Sequence, residues 1–212
     1  IIGAGVTYSE ALPALAEKIP AFSRLIVRIG GEQVRNMGTI GGNVANGDPA
    51  NDMPGLMQTL DATYHLTGSG GKRTVQAREF YEAAYFTARE DDEILTAVSF
   101  NAPSGGYAYE KQKRKIGDYA TAAAGVLISL KAGKCSAASV ALTNLSDTPV
   151  YCEEAVNTLV GSTLDEAVIK AAVIAAVDAS DPVADTRGPV EFKKHVAGII
   201  VKKAITSAIA RA

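Results

Sequence analysis

The apolar residues of this 212-residue chain change their spacing along its length, and that change limits the folds open to it. Leu12, Leu15, Ala16 and Ile19 recur at helical intervals, as do Ala197, Ile200, Val201, Ile205 and Ile209 near the other end. Between them the period falls to two, with Ala62, Tyr64 and Leu66 alternating with Thr63, His65 and Thr67. A period near 3.6 lines one face of a helix, whereas a period of two lines one face of a sheet. Helices at both ends and hairpin-linked strands between them define an α+β chain.

Local signals place the elements. Ile1–Val6 reads as a short buried strand, and Thr7 with Glu10 forms a capping box that should start a helix. Pro20 suits the first turn of a second helix, ended by Gly30-Gly31. Residues 32–52 follow neither period and read as one long loop, with Asn51 or Asp52 capping a helix over Met53–Leu60. A hairpin turns at Gly68-Ser69-Gly70-Gly71, Phe80–Phe86 reads as a helical turn or two, and Ile94–Phe100 as a strand. Pro103-Ser104-Gly105-Gly106 is the strongest punctuation in the chain and divides it into 1–103 and 104–212. Beyond it come three strands (Tyr107–Arg114, Ala120–Leu130, Cys135–Leu145) and three helices (Glu153–Val160, Leu164–Val177, Gly188–Ala210).

Composition narrows the function. A net charge of −2 offers no basic surface for nucleic acid, and 6% aromatic residues without tryptophan argue against base stacking. No apolar run reaches the ~20 residues of a membrane span. Cys135, Cys152, His65 and His195 lie at no metal-ligand spacing, so neither a metal nor an iron–sulfur cluster is expected on this chain. So few cysteines suit a reducing, cytoplasmic setting. The chain opens on Ile1 rather than Met, and the opening residues do not read as a signal peptide.

Two glycine motifs compete for a ligand. Gly3-Ala4-Gly5 follows a strand, but a dinucleotide fingerprint needs a small residue where Tyr8 stands, so these glycines read as strand-end geometry. Thr39-Ile40-Gly41-Gly42-Asn43 is the stronger candidate. Paired glycines let backbone approach a ligand and aim N–H groups at phosphate oxygens, while Thr39 and Asn43 add neutral hydrogen-bonding groups. A plain tight turn explains the same pair equally well.

Three ordered segments resemble a known family. Gln33-Val34-Arg35-Asn36 with Gly38–Asn43 and Asp48-Pro49-Ala50-Asn51-Asp52 resembles the flavin-binding subunit of molybdenum hydroxylases, as in carbon monoxide dehydrogenase medium subunits and the xanthine dehydrogenase flavin domain. So do Glu110–Ala120 and Asp181–Gly188 followed by Glu191–His195. The resemblance implies the second lobe of an FAD-binding type-2 (PCMH/VAO-like) fold over 1–103 and the flavin subunit's C-terminal domain over 104–212. It implies FAD held at its pyrophosphate by Thr39, Ile40, Gly41 and Gly42, with Asn43 and Asn46 along the phosphate and ribityl region. Asp52 would bond the ribityl or ring-proximal part, Leu95 would touch the isoalloxazine edge, and Lys111 would reach a ring carbonyl, with Asp118 and Tyr119 bordering the ring. On residue chemistry alone, Asp181 before Pro182 is a turn former and Arg187 can pair with Asp185 or Asp181 to fix a structural loop, with subunit docking as the alternative role. Electrons would pass from iron–sulfur clusters on a small subunit to this FAD and on to an external acceptor, with substrate oxidised at a molybdenum cofactor on a large subunit. Such subunits begin with a further lobe bearing another Gly-Gly loop. This chain starts at what looks like the second lobe, so it is a fragment, or lacks the first lobe, or takes that lobe from a separate chain as a third partner. The alternative is an assembly module that keeps the fold without the flavin.

Overall fold

In the computed structural model, which describes residues 1–16 and 19–212, the Thr7 capping box forms as its spacing predicts. The Thr7 N–H donates to Glu10 Oε2 at 2.9 Å, and the Glu10 N–H donates to Thr7 Oγ1 at 3.2 Å, opening α1 (Tyr8–Ala16). Helix α2 (Pro20–Ile26) begins on its proline, and Gly30 turns the chain away at φ +53°.

Residues 32–52 hold two short helices in place of the expected loop, α3 (Glu32–Met37) and α4 (Ile40–Ala45). Each is six residues long, under two turns, so neither can show a repeating apolar stripe. Arg35 Nη1 ties α3 down by donating to the Ile29 and Gly30 carbonyls, each at 3.1 Å. Thr39 caps α4, its Oγ1 accepting the Gly42 N–H at 2.9 Å. Helix α5 (Asp52–Thr59) is capped from a distance. Asn43 Oδ1 accepts the Met53 N–H at 3.2 Å, and Asn51 Nδ2 donates to the Asn43 carbonyl at 3.0 Å. The capping expected of Asn51 or Asp52 thus passes to Asn43.

The first sheet is antiparallel, in the order β1-β6-β2-β3, with β1 (Ile2–Gly3), β2 (Thr63–Gly68), β3 (Gly71–Gln76) and β6 (Ile94–Ser99). The expected strand over Ile1–Val6 shrinks to a two-residue edge, and Ile1 is exposed. The aromatic run at 80–86 forms a ribbon, β4 (Tyr81–Ala83) and β5 (Phe86–Thr87), where helical turns were expected. Phe80 and Tyr81 meet Tyr64 edge-on, with centroids 4.8 and 6.3 Å away, and extended backbone suits that packing.

The second sheet runs β10-β9-β8-β7, with β7 (Gly106–Gln112), β8 (Ala122–Lys131), β9 (Lys134–Thr143) and β10 (Val150–Tyr151). The three expected strands are present, and β10 adds a short fourth. Helices α6 (Glu153–Leu159), α7 (Glu166–Asp178) and α8 (Val190–Ile209) follow as the periodicity predicts. Ala122, Ala124, Val126 and Ile128 join the core beneath these helices, whereas Tyr107, Tyr109 and Ala123 join the core beneath α2 and α5. Burial on both faces explains why β8 reads as an unbroken apolar run. The first core extends past Pro103 onto the second sheet.

Two glycines set how closely α5 lies on that sheet. A Cβ on Gly125 of β8 would run into Thr59 Oγ1, and a Cβ on Gly55 of α5 would run into Thr143 Oγ1. Thr59 cannot easily turn aside, because its hydroxyl donates to the Gly55 carbonyl at 2.9 Å. Gly125→Ala should therefore destabilise the protein by about 1–3 kcal/mol in denaturant unfolding, as overpacking does. Adding Thr59→Ala should recover much of that loss, a non-additivity that a double-mutant cycle reads directly.

Candidate functional site

A cleft of about 500 Å³ opens where α1, α3 and the Thr39–Asn46 segment meet the turn after β7. Thr39, Gly42, Asn43, Asn46, Asp52 and Lys111 all line it, brought there by three separate segments of chain. Asp118 and Tyr119, expected at its border, line it too. The volume lies within the range of cofactor sites.

The remaining candidates lie elsewhere. The Ile40 side chain is fully buried in the first core, where it anchors α4 and does not line the cleft. Gly41 and Leu95 line a second concavity of about 350 Å³ that shares Thr39 and Gly42 with the cleft. Gly41 is required by its neighbour, since a Cβ there would stand 2.6 Å from Ala4 Cα and 2.7 Å from the Ala4 carbonyl oxygen.

The amides of this segment are already committed. Ile40 N–H donates to Val6 O and Gly41 N–H to Ala4 O, both at 3.0 Å. Gly42 N–H goes to Thr39 Oγ1 and Asn43 N–H to Thr39 O at 3.1 Å. The expectation that glycine amides point at a phosphate is corrected accordingly. The segment offers the cleft the Thr39 hydroxyl, the bare face of Gly42 and the Asn43 and Asn46 side-chain amides.

Asp52 and Lys111, expected to act separately, face one another. Lys111 Nζ lies 2.7 Å from Asp52 Oδ2, with the side chains 2% and 5% exposed. The second Asp52 oxygen accepts the Tyr109 hydroxyl at 2.8 Å. Burial pushes the Tyr109 phenol well above its ordinary pKa, and the Asp52 charge pushes it further, so this hydroxyl stays a donor. Lys113, two residues on, is shifted the other way: burial first, then the neighbouring Lys111 and Arg28 charges, lower its ammonium pKa.

The opposing wall is apolar, formed by Ile29, Val34 and Met37. Gly117, at φ +78°, lies against Gly30, where a Cβ would come 3.0 Å from the Gly30 carbonyl carbon. Asp185 and Arg187 tie the loop over 181–188, as the sequence suggests, and the loop also lies beside Tyr119. Asp185 holds Lys193 at 2.9 Å and Arg187 at 3.6 Å, and the Arg187 guanidinium sits 5.6 Å from the Tyr119 ring centre. Sequence reasoning missed Tyr8, Ile29 and Met37. Nothing local marks them, because the fold alone carries them to the cleft.

Residues 1–103 match the family model described as the FAD binding domain in molybdopterin dehydrogenase, and 107–208 match the CO dehydrogenase flavoprotein C-terminal domain. The carbon monoxide dehydrogenase medium chain of Afipia carboxidovorans is 49% identical across 100% of this chain and 75% of its own length. The glyceraldehyde dehydrogenase medium chain of Sulfolobus acidocaldarius is 31% identical across 96% of this chain and 73% of its own. The structure of reconstituted CO dehydrogenase from Oligotropha carboxidovorans superposes with a TM-score of 0.96 at 49% identity, covering 99% of this chain and 74% of that one. The chain belongs to the FAD-binding medium-chain family of molybdopterin dehydrogenases. It is an oxidoreductase subunit, and FAD is the cofactor of its family.

The cleft suits part of a flavin nucleotide on its own chemistry. Neutral donors line one side, apolar side chains the other, and a bare glycine lies between two concavities. No helix among the described residues is long and apolar enough to cross a membrane.

Lys111→Met leaves Asp52 buried without its cation, so unfolding measurements should show a loss of about 3–5 kcal/mol. Pairing it with Asp52→Asn should restore part of that stability. The cysteines should be inert in the folded protein. Both are buried, and burial raises the Cys135 thiol and pushes Cys152 up to about 12. Alkylation near pH 8 should label neither until the chain unfolds.

Proposed function

We propose that this chain is the electron-transfer flavin subunit of a molybdenum hydroxylase. Electrons would arrive from iron–sulfur clusters on a small subunit and leave for an external acceptor, after substrate oxidation at a molybdenum cofactor on a large subunit. The observation that carries the reading is the convergence of Thr39, Gly42, Asn43, Asn46, Asp52 and Lys111 on one cleft. When bound, FAD supplies the exchange between two-electron and one-electron chemistry. Within this reading, residues 1–103 form the flavin lobe and 104–212 the C-terminal domain. Location in the cytoplasm suits its two free cysteines.

The chain's residues would bind, orient and shield. Thr39, Asn43 and Asn46 would donate to phosphate and ribityl oxygens, and Gly42 would let those oxygens come close. Asp52 would hold the Lys111 ammonium in place, so that positive charge reaches the ring from a fixed direction. Ile29, Val34 and Met37 would keep water from one face, and Leu95 would meet the ring edge from the second concavity. One observation favours the alternative of a flavin-free assembly module: the backbone amides at 40–43 are all used internally.

Asn46→Asp separates the readings. The side chain is exposed at the cleft and makes no hydrogen bond among the described residues, so the change adds charge at nearly constant shape. In the assembled complex it should lower retained FAD at least tenfold, with partial recovery in high salt as screening weakens the repulsion. Full FAD content in this variant would remove the assignment of the loop. A parent complex without FAD would establish the assembly-module alternative.

A further inference from the structure

Tyr8 begins α1, and its ring forms part of the cleft wall beside Gly38, where a Cβ would stand 3.1 Å from Tyr8 Cε2. The residue is 2% exposed, and its backbone N–H is satisfied by the Gly38 carbonyl at 3.0 Å. Its hydroxyl has no hydrogen-bond partner among the described residues and no access to solvent. Buried polar groups are nearly always paired, so an orphaned hydroxyl on a cleft wall calls for a partner that enters the cleft. Burial is the larger cause of its raised phenol pKa, and Asp52 and Tyr119 add to it. Both of those residues line the cleft with Tyr8. Tyr107 carries the other orphaned phenol of the core, but it lies outside the cleft lining.

We propose that the Tyr8 hydroxyl is a positioning donor for the flavin nucleotide, giving its hydrogen bond to an oxygen or nitrogen acceptor of the ligand beside the Asp52–Lys111 pair. The inference rests on the flavin reading above and adds a residue to it. A phenol that keeps its proton donates without adding charge. Such a bond strengthens as the acceptor gains electron density, so losing it makes the bound flavin harder to reduce.

The test compares Tyr8→Phe with Tyr107→Phe in the assembled complex. Three quantities are read: flavin dissociation, flavin reduction potential against redox dyes, and thermal unfolding of the flavin-depleted complex. Tyr8→Phe should weaken flavin retention about five- to tenfold, the worth of one neutral hydrogen bond, and lower the potential. Once depleted, the same variant should unfold at the parent's temperature or above it, because phenylalanine removes an unpaired polar group. Tyr107→Phe should leave retention and potential at parent values. If Tyr8→Phe keeps the parent's flavin affinity and potential, the hydroxyl has no ligand partner and the inference is overturned, while the flavin reading stands. Lower stability of the depleted Tyr8→Phe complex would also overturn it, by showing an internal partner. A parent complex that carries no flavin overturns the reading and the inference together.

Discussion

The buried contact between Asp52 and Lys111 ties the two halves of this protein to one another and to the cleft. The residues are 59 apart in sequence and 2.7 Å apart in space. A buried ion pair is tolerable only when its remaining lone pairs are satisfied. Tyr109, on the same face of β7 as Lys111, supplies that bond. The pair therefore needs α5 and β7 at a fixed separation. Gly55 and Gly125 provide it by letting the helix lie close on the sheet, and Asn43 fixes where the helix begins. The Thr39–Asn46 segment, the first turn of α5 and the second sheet are consequently one mechanical unit.

That unit explains why the glycines at 41 and 42 differ in meaning. The sequence shows them as one motif that could serve a ligand or a turn. In the folded chain Gly41 is filled by the Ala4 backbone, and Gly42 alone has a face on the cleft. A Gly-Gly pair looks the same whichever neighbour demands it, and that neighbour is more than thirty positions away. Asn43 is similar. As a residue type it suits ligand contact, yet its Oδ1 is engaged in capping α5.

What was legible followed the range of the interactions involved. The Thr7 capping box, the Pro20 helix start and the hairpin at residues 68–71 depend on neighbours in sequence, and each formed as read. Helices α3 and α4 were illegible because they hold too few residues to show a period, and because they lean on a few side-chain bonds from Arg35 and Thr39. The ribbon at β4 and β5 depends on packing against Tyr64 across the sheet. Among the candidate site residues, the resemblance named the Thr39–Asn46 segment, Asp52 and Lys111, and the fold brings Thr39, Gly42, Asn43, Asn46, Asp52 and Lys111 to one cleft. Tyr8 was not named, since its importance lies in a missing partner that only three dimensions reveal.

The charge balance of the cleft follows from the same geometry. A nucleotide with a pyrophosphate brings negative charge, and two carboxylates, Asp52 and Asp118, already line the walls. Each has a cation at contact distance: Lys111 at 2.7 Å from Asp52 and Arg114 at 3.2 Å from Asp118. The two compensations differ in kind. The Asp52 pair is buried and little affected by salt, whereas the Arg114 side chain is 53% exposed and its attraction is screened. With the backbone amides of residues 40–43 committed elsewhere, the segment cannot neutralise phosphate by itself. Neutral donors within a charge-balanced cleft can position such a ligand without repelling it.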